Sequence, residues 1–448
     1  MGQKVSRYVA FSDHTYRDSD GDAWQLLYAT RTGLVLPVMA EVVGLLREGD
    51  LAALADEVRE GLTAAQALVD EQSDELSDLL AERRAAAADR SKLTYALLPT
   101  SYCNMGCTYC GQAHTRKRLE PNHRDAVVRR VAAGIARPTT KAVEIGWFGG
   151  EPMAGYPVIR ELSRPLIEAA DEHGVDYKAH IVTNGSLLTM ERLATLHHEC
   201  RVVHAEITLD GPQRIHDVHR PLKNGKGSFQ HIVRVVQQVL REPGLEGLTI
   251  GLRTNVSRDN AAYVEEYLRL MAEAGMADDR VVFSIHEVHS WGNDVSELQV
   301  ARAGFAEQEL EWMRLMTELD LRFQTLPGEA KKTVCVAVTR SAEIISSTGN
   351  VFSCSEHPLV PEAEQNRALA HVDTHPVQQA RPLGEFDDWY DSVERGGESP
   401  CDRCLFFPVC GGFCPKQWRE GTVTCPSFKT NLQGRFDVTA QLNEMQPI

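Results

Sequence analysis

No stretch of this sequence stays apolar over the roughly 20 residues that a membrane-spanning helix needs. The first residues, MGQKVSRYVAF, lack the apolar core of a secretory signal. A cytoplasmic protein with no membrane partner is therefore expected. The loose myristoylation pattern MGxxxS is matched at residues 1–6, but it is too short to weigh against that reading. Basic charge is also scarce: 47 Lys and Arg face 63 Asp and Glu, a formal net charge of −16. A nucleic-acid binder would show a basic face, so nucleic acid is not an expected partner. Cysteine is missing from the first 102 residues and, apart from Cys200, from residues 111–334. Of the 11 cysteines, three fall within eight residues and seven lie after residue 334. Without a secretion signal, such clustering points to metal rather than to disulfides. Cys200, in HHEC, reads as a buried core thiol.

What is present suggests about three domains in 448 residues. Residues 1–90 read as a small separate α+β unit. YVAFS (8–12) is a strand, and WQLLYATRTGLVL (24–36) a hairpin turning at Arg31-Thr32-Gly33. Helical patterns follow at 40–49, 52–62 and 74–89. From Leu93 strands alternate with amphipathic helices. Candidate strands are 93–99, 142–148, 177–184, 202–210, 248–256 and 280–288, with helices at 123–136, 261–275 and 301–319. This order predicts βα units on a parallel sheet, and six units are too few for a closed eight-stranded barrel. An α/β fold with an open, partial (β/α)6 barrel is expected over 91–325, its chemistry on the loops after the strand C-termini. After residue 325 periodicity fades. Residues 326–448 are expected to fold around metal rather than a large apolar core.

The loop after the first barrel strand, YCNMGCTYCG (102–111), holds Cys103, Cys107 and Cys110 with no fourth cysteine nearby. Three thiolates on one short loop suit a cubane 4Fe–4S cluster with one iron left open to a small molecule. A structural zinc borrowing a distant ligand is the plainer alternative. The Cx3Cx2C loop, followed at the end of the second strand by WFGGEP (147–152), resembles the radical S-adenosylmethionine enzymes. Gly149 and Gly150 let a ligand approach the backbone closely, and Glu151 can pair with an ammonium group. The resemblance implies that Tyr109, Gly149, Gly150 and Glu151 contact S-adenosylmethionine. VTNGSLLT (182–189) and ITLDGPQRIHDVHRP (207–221) fit one subgroup, adding Ser186, Thr208, Asp210 and Arg220. Thr208 stands where the family more often has Ser. A surface ion pair is the plainer reading of Asp210 and Arg220. In such enzymes an electron enters the sulfonium, the C5′–S bond breaks, and a 5′-deoxyadenosyl radical takes hydrogen from the substrate.

The remaining cysteines match the spacing of the SPASM extension of that family: Cys335, Gly349 and Cys354, then Cys401, Cys404, Cys410 and Cys414, then Cys425. The resemblance implies two auxiliary 4Fe–4S clusters, three in all. Cys335, Cys354 and Cys414 would hold the first and Cys401, Cys404, Cys410 and Cys425 the second. The first set is one cysteine short; where some members have another, Ser341 stands here. An open iron, or one capped by a non-cysteine group, is expected.

Three substrates compete. The N-terminal unit resembles the winged-helix leader-recognition element of peptide maturases, which points to a ribosomal precursor peptide as partner, its leader added as a strand to an exposed sheet edge. The expected product is an oxidative modification such as a thioether, carbon–carbon or ether cross-link. A sulfatase-type maturase making formylglycine is the second reading, although Ser355 follows Cys354 where those enzymes usually carry a carboxylate. Oxidation of a small molecule is the third. An electron donor such as flavodoxin or ferredoxin is implied throughout. A zinc-loaded peptide adaptor is the non-enzymatic alternative.

Overall fold

A computed structural model describes residues 2–423 and 425–448; Met1, which opens the MGxxxS pattern, lies outside it. From the N-terminus run β1 (Gln3–Val5), β2 (Val9–Phe11), β3 (Tyr16–Arg17), β4 (Ala23–Ala29) and β5 (Leu34–Met39). Then come α1 (Ala40–Glu48), α2 (Asp56–Ala64), β6 (Leu68–Asp70) and α3 (Glu75–Ala88). β4 and β5 form the expected hairpin, and Gly33 takes the turn at φ +81°. β4 has neighbours on both edges, β2 and β3 on one and β5 on the other. Its side chains alternate between two cores. Leu27 and Ala29 pack with Val43, Leu46 and Leu62 of α1 and α2, whereas Leu26 and Tyr28 meet Phe406, Val409 and Phe436 from the far end of the chain.

The barrel strands are β7 (Lys92–Leu97), β8 (Ala142–Trp147), β9 (Asp176–Thr183), β10 (Val202–Thr208), β11 (Thr249–Val256) and β12 (Val281–Glu287), all parallel and in sequential order across the sheet. α4 (Pro121–Ile135), α5 (Tyr156–His173), α6 (Met190–His198), α7 (Gln213–His219), α8 (Phe229–Arg241), α9 (Val264–Glu273) and α10 (Arg302–Glu318) follow in turn. The periodicity works as read. α8 buries Phe229, Ile232, Val233, Val236 and Val239, one helical stripe laid on the sheet. The sheet is open, as six strands require, and the loops after β7, β8, β9 and β10 gather at one end.

β13 (Ala342–Ile345) pairs in parallel with β7, and β14 (Asn350–Phe352) and β15 (Ala370–His371) extend the sheet to nine strands. β16 (Gln446–Pro447) closes on β3. Two expectations are corrected here. The region after residue 325 does have an apolar core: Phe386, Trp389 and Phe407 are fully buried. Irregularly spaced aromatics build it, which leaves no period to read. Nor do residues 1–90 stand apart. Tyr8, Leu79 and Leu80 share that core, the Thr30 hydroxyl donates to the Leu405 carbonyl at 2.6 Å, and the Arg83 guanidinium donates to the Pro408 carbonyl. A hairpin strand with two apolar faces needs cover on both, and the second cover is the cysteine-rich region.

Candidate active site

The loop after β7 is stitched in place by backbone bonds. Ser101 N–H donates to Lys117 at 3.0 Å, Gly106 N–H to Pro221 at 3.0 Å and Thr108 N–H to His219 at 3.0 Å. Cys110 N–H donates to the Cys107 carbonyl at 3.2 Å, which tightens the second half of the motif. Cys103 is buried and Cys107 and Cys110 are half-buried. The Cys103 sulfur receives the Met105 N–H. Burial pushes the Cys107 thiol up to about 11, against the pull of Arg220, and Cys103 and Cys110 lie close enough to raise it further.

This donor set fits the cluster better than it fits zinc. A single zinc with Zn–S bonds of about 2.3 Å holds its thiolates about 3.8 Å apart. Among the described residues no three cysteine sulfurs lie within 4.8 Å of one another. Thiols that feel each other's charge yet do not converge suit the corners of a larger inorganic core, whose positive irons would deprotonate them.

The β8 loop sits beneath. A Cβ on Gly149 (φ +113°) would stand 2.9 Å from Leu98 Cγ, and one on Gly150 2.9 Å from the Tyr102 carbonyl oxygen. The packing of the cysteine loop against this turn therefore requires glycine at both positions. Glu151 is turned inward and fully buried. Its Oε1 accepts from Thr183 Oγ1 at 2.6 Å and Met153 N at 2.9 Å, and its Oε2 from Asn184 N at 2.7 Å. Burial raises its pKa and these three donors oppose the rise. The carboxylate braces β8 to β9, leaving about one of its roughly four acceptor sites for a further donor.

Asp210 and Arg220 are not a surface pair. Both are buried, with Arg220 Nη1 3.6 Å from Asp210 Oδ2. The Tyr109 hydroxyl donates to Asp210 Oδ2 at 2.6 Å and receives Arg220 Nη1 and Asn255 Nδ2, the latter at 3.0 Å. Asn255 N–H donates to Asp210 Oδ1 at 2.9 Å. This network ties the cysteine loop to β10 and β11. Thr208 is buried at the end of β10. Ser186 Oγ donates to Asn184 Oδ1 at 2.7 Å and receives Asn104 Nδ2 at 2.9 Å. Asn184 Nδ2 reaches Asn104 Oδ1 at 2.9 Å and lies 3.8 Å from Cys103 Sγ. Asn104, Asn184 and Asn255 thus hold the site together, and sequence reasoning assigned none of them that role.

His216, fully buried in α7, accepts the Asp210 N–H at Nδ1 (3.2 Å) and bonds Ser228 Oγ through Nε2 (2.9 Å). Burial, then the charges of Arg220 and His219, holds its pKa well below the usual imidazole value. The unfolded chain binds this proton below about pH 6.5 and the folded chain does not, so acidification favours unfolding. Stability is expected to fall below about pH 6.5 by up to about 1.4 kcal/mol per pH unit from this group. Urea midpoints between about pH 7 and pH 5 should show a shallower acid limb in His216→Gln, by one proton. An unchanged limb would assign the acid sensitivity elsewhere.

The C-terminal thiols fall into two groups. Cys335, Cys354 and Cys414 lie within each other's electrostatic reach, as do Cys401, Cys404, Cys410 and Cys425. The second group lines one apolar cavity with Phe406, Phe407, Trp418 and Phe428. Burial pushes Cys401 up to about 12 and Cys410 up to about 11. Four thiols in a dry cradle fit a cluster that supplies the compensating charge. Ser341 lines a separate cavity with Leu93, Tyr95, Arg130 and Glu343. Cys200 is buried in the barrel core, as expected.

The family model of the Radical SAM superfamily matches residues 97–243. Uncharacterized protein sll1766 of Synechocystis sp. is 26% identical over 347 residues, which is 72% of this chain and 84% of that protein. A serine-type anaerobic sulfatase-maturating enzyme of Bacteroides thetaiotaomicron is 22% identical over 348 residues, 70% of this chain and 80% of the relative. The structure of native anSMEcpe with bound AdoMet and Cp18Cys peptide shares the fold, with a TM-score of 0.59 at 15% identity over 79% of this chain and 98% of that one. The matched segment begins at the end of β7 and runs through the loops that carry the three thiols, the GGEP turn and Asp210. On that ground the chain carries a domain of the Radical SAM superfamily, whose enzymes work with S-adenosylmethionine and a 4Fe–4S cluster.

Proposed function

We propose that this enzyme is a peptide maturase that oxidises a ribosomal precursor peptide and installs an intramolecular cross-link. In this reading residues 1–90 recognise the leader, 91–325 carry the radical chemistry and 326–448 hold two auxiliary clusters. Cys103, Cys107 and Cys110 hold the first 4Fe–4S cluster. When bound there, the cluster and S-adenosylmethionine supply hydrogen-atom abstraction. The chain's own part is placement. Tyr109, Asp210 and Arg220 form a preorganised polar wall; Ser186 and Thr208 offer hydroxyls, and the Gly149-Gly150 turn and Glu151 set the floor. Cys335, Cys354 and Cys414 hold one auxiliary cluster, and Cys401, Cys404, Cys410 and Cys425 the other. A cytoplasmic one-electron donor such as flavodoxin or ferredoxin completes the system. Among the described residues no helix is long and apolar enough to cross a membrane.

The observation that carries the peptide reading is the free edge of β5. Leu26 N–H donates to Ser12 Oγ at 2.9 Å and its C=O accepts the Ser12 N–H at 2.8 Å, both on the β2 side. Leu27, opposite Leu36, therefore faces β5, and the backbone groups of Val35 and Pro37 point away from the ladder. Among the described residues no strand pairs with that outer edge. Proline is tolerated there because its missing N–H would face outward. An extended leader has a docking line on this edge. Val35→Pro should remove one outward N–H without touching the β4 ladder. It is expected to weaken precursor binding by up to about tenfold, about 1.4 kcal/mol. Deoxyadenosine formed without precursor should stay unchanged. Unaltered affinity would remove β5 from the account. Deleting residues 1–90 is a poorer test, because it would strip the cover from the C-terminal core.

The sulfatase-type reading has support from the Bacteroides relative. Against it, the solved anSMEcpe is matched along 98% of its length while about a fifth of this chain lies outside the match. Anaerobic co-expression with candidate precursor peptides, followed by mass spectrometry, separates the readings. A cross-link loses a pair of hydrogens and blocks fragmentation between the joined residues. A formylglycine is captured by a hydrazide.

A further inference from the structure

The cluster held by Cys335, Cys354 and Cys414 lacks a fourth cysteine, and Ser341 faces another cavity. We infer that the carboxylate of Glu356 is the fourth protein ligand of that cluster. The inference rests on the two auxiliary clusters proposed above.

Glu356 lies two residues after Cys354, in a turn closed by His357 N–H donating to the Cys354 carbonyl at 3.2 Å. Its own N–H points at the Cys354 sulfur. The side chain then turns into the same space: its negative charge bears on Cys335, Cys354 and Cys414 alike. From the other side comes Lys416, two residues after Cys414, with Nζ 3.4 Å from Glu356 Oε2. His289 Nε2 stands 3.4 Å from Oε1. Lys416 Nζ makes its short bond elsewhere, to Glu420 Oε2 at 2.8 Å. Glu356 Oε2 is buried and makes no well-formed hydrogen bond, with the Lys416 ammonium at 3.4 Å as its long ion-pair partner.

A buried carboxylate oxygen held only by a long ion pair has a lone pair left for a further partner, and an iron can take it. Carboxylate is an ordinary ligand for iron, and binding it needs only a lone pair from an ionised oxygen, with no change in oxidation state. Lys416 would offset the negative charge of the assembly. His289 in turn stacks on Trp291 (5.8 Å) and Trp291 on Phe148 (6.2 Å), the residue before Gly149. An oxygen ligand is also more readily displaced from a cluster than a thiolate.

The test uses full-length enzyme carrying Cys103→Ala, Cys107→Ala and Cys110→Ala, so that only the auxiliary clusters remain. It is grown with glutamate carrying carbon-13 at the side-chain carboxyl. About eight irons per chain are expected. After reduction, electron–nuclear double resonance should show a carboxylate carbon coupled to a cluster. Glu356→Gln should lose that coupling and release about one iron per chain on mild oxidation. Glu356→Cys should keep all its iron, lose the coupling and shift the midpoint potential of one cluster downward. This variant keeps the test decisive where Glu356→Gln does not fold. Eight irons with no carboxylate coupling, or a coupling that survives Glu356→Cys, overturns the assignment of Glu356. About four irons in the Glu356-containing protein overturns the two-cluster reading instead, and the assignment with it.

Discussion

Replacing Cys103, Cys107 and Cys110 together by alanine is expected to abolish formation of 5′-deoxyadenosine and methionine while leaving about two-thirds of the iron bound. Under the three-cluster reading the count falls from about twelve irons per chain to about eight. The protein should stay folded, because the loop is held by backbone bonds from Ser101, Gly106 and Thr108 that need no thiol. The buried Cys103 sulfur leaves a small gap beside Asn184, and the half-buried Cys107 and Cys110 leave less. Iron analysis and chromatography of the reaction products check both halves of the expectation. Retained deoxyadenosine formation would mean that the β7 loop is not the reductive site. Loss of all iron would mean that the C-terminal thiols hold no clusters of their own.

The barrel was readable because its strands and helices differ in period. Each of the six strands lies within a few residues of its expected span. Val202–Thr208 stops short of Asp210 because Leu209 and Asp210 leave the β9 ladder and turn to Arg253 and Asn255. Short strands were not readable. β1 and β6 are three residues each and pair across more than sixty positions, where no local pattern can announce the partner. β13, AEII, buries all four residues, so it shows no alternation. The grouping of the C-terminal cysteines was open to a family resemblance in spacing, and the fold brings the thiols of each set within electrostatic reach of one another. The asparagines were not readable: a lone Asn reads as a turn residue, and only tertiary contact brings Asn104 to Asn184 or Asn255 to Tyr109. Glycines 149 and 150, expected beside a ligand, have a packing reason as well, since a Cβ on either would meet Leu98 or Tyr102. The same segment can be functional while its glycines are structural.

Asp210→Ala should be the most damaging single change outside the cysteines. The substitution leaves the Tyr109 hydroxyl and the Asn255 N–H without an acceptor, and it leaves Arg220 charged and buried with its counter-ion gone. Breaking a buried pair from one side costs about 3–5 kcal/mol, a large share of a typical folding free energy. Asp210→Asn preserves shape but not function. Tyr109 donates to Oδ2 and Asn255 to Oδ1, so an amide in either orientation sets its NH2 group against one of these donors. Its cost should be smaller, about 1–3 kcal/mol, for one unsatisfied donor. Thermal melts of the iron-loaded proteins should rank wild type above Asp210→Asn above Asp210→Ala. Retention of S-adenosylmethionine on a gel-filtration column should fall in the same order, since the wall that Tyr109 and Arg220 form depends on Asp210 to hold it. If Asp210→Asn melted with the wild type yet lost S-adenosylmethionine, Asp210 would touch the ligand directly. If both variants kept stability and ligand, the network would be idle, and the buried ion pair beside the cysteine loop would have no role in shaping the site.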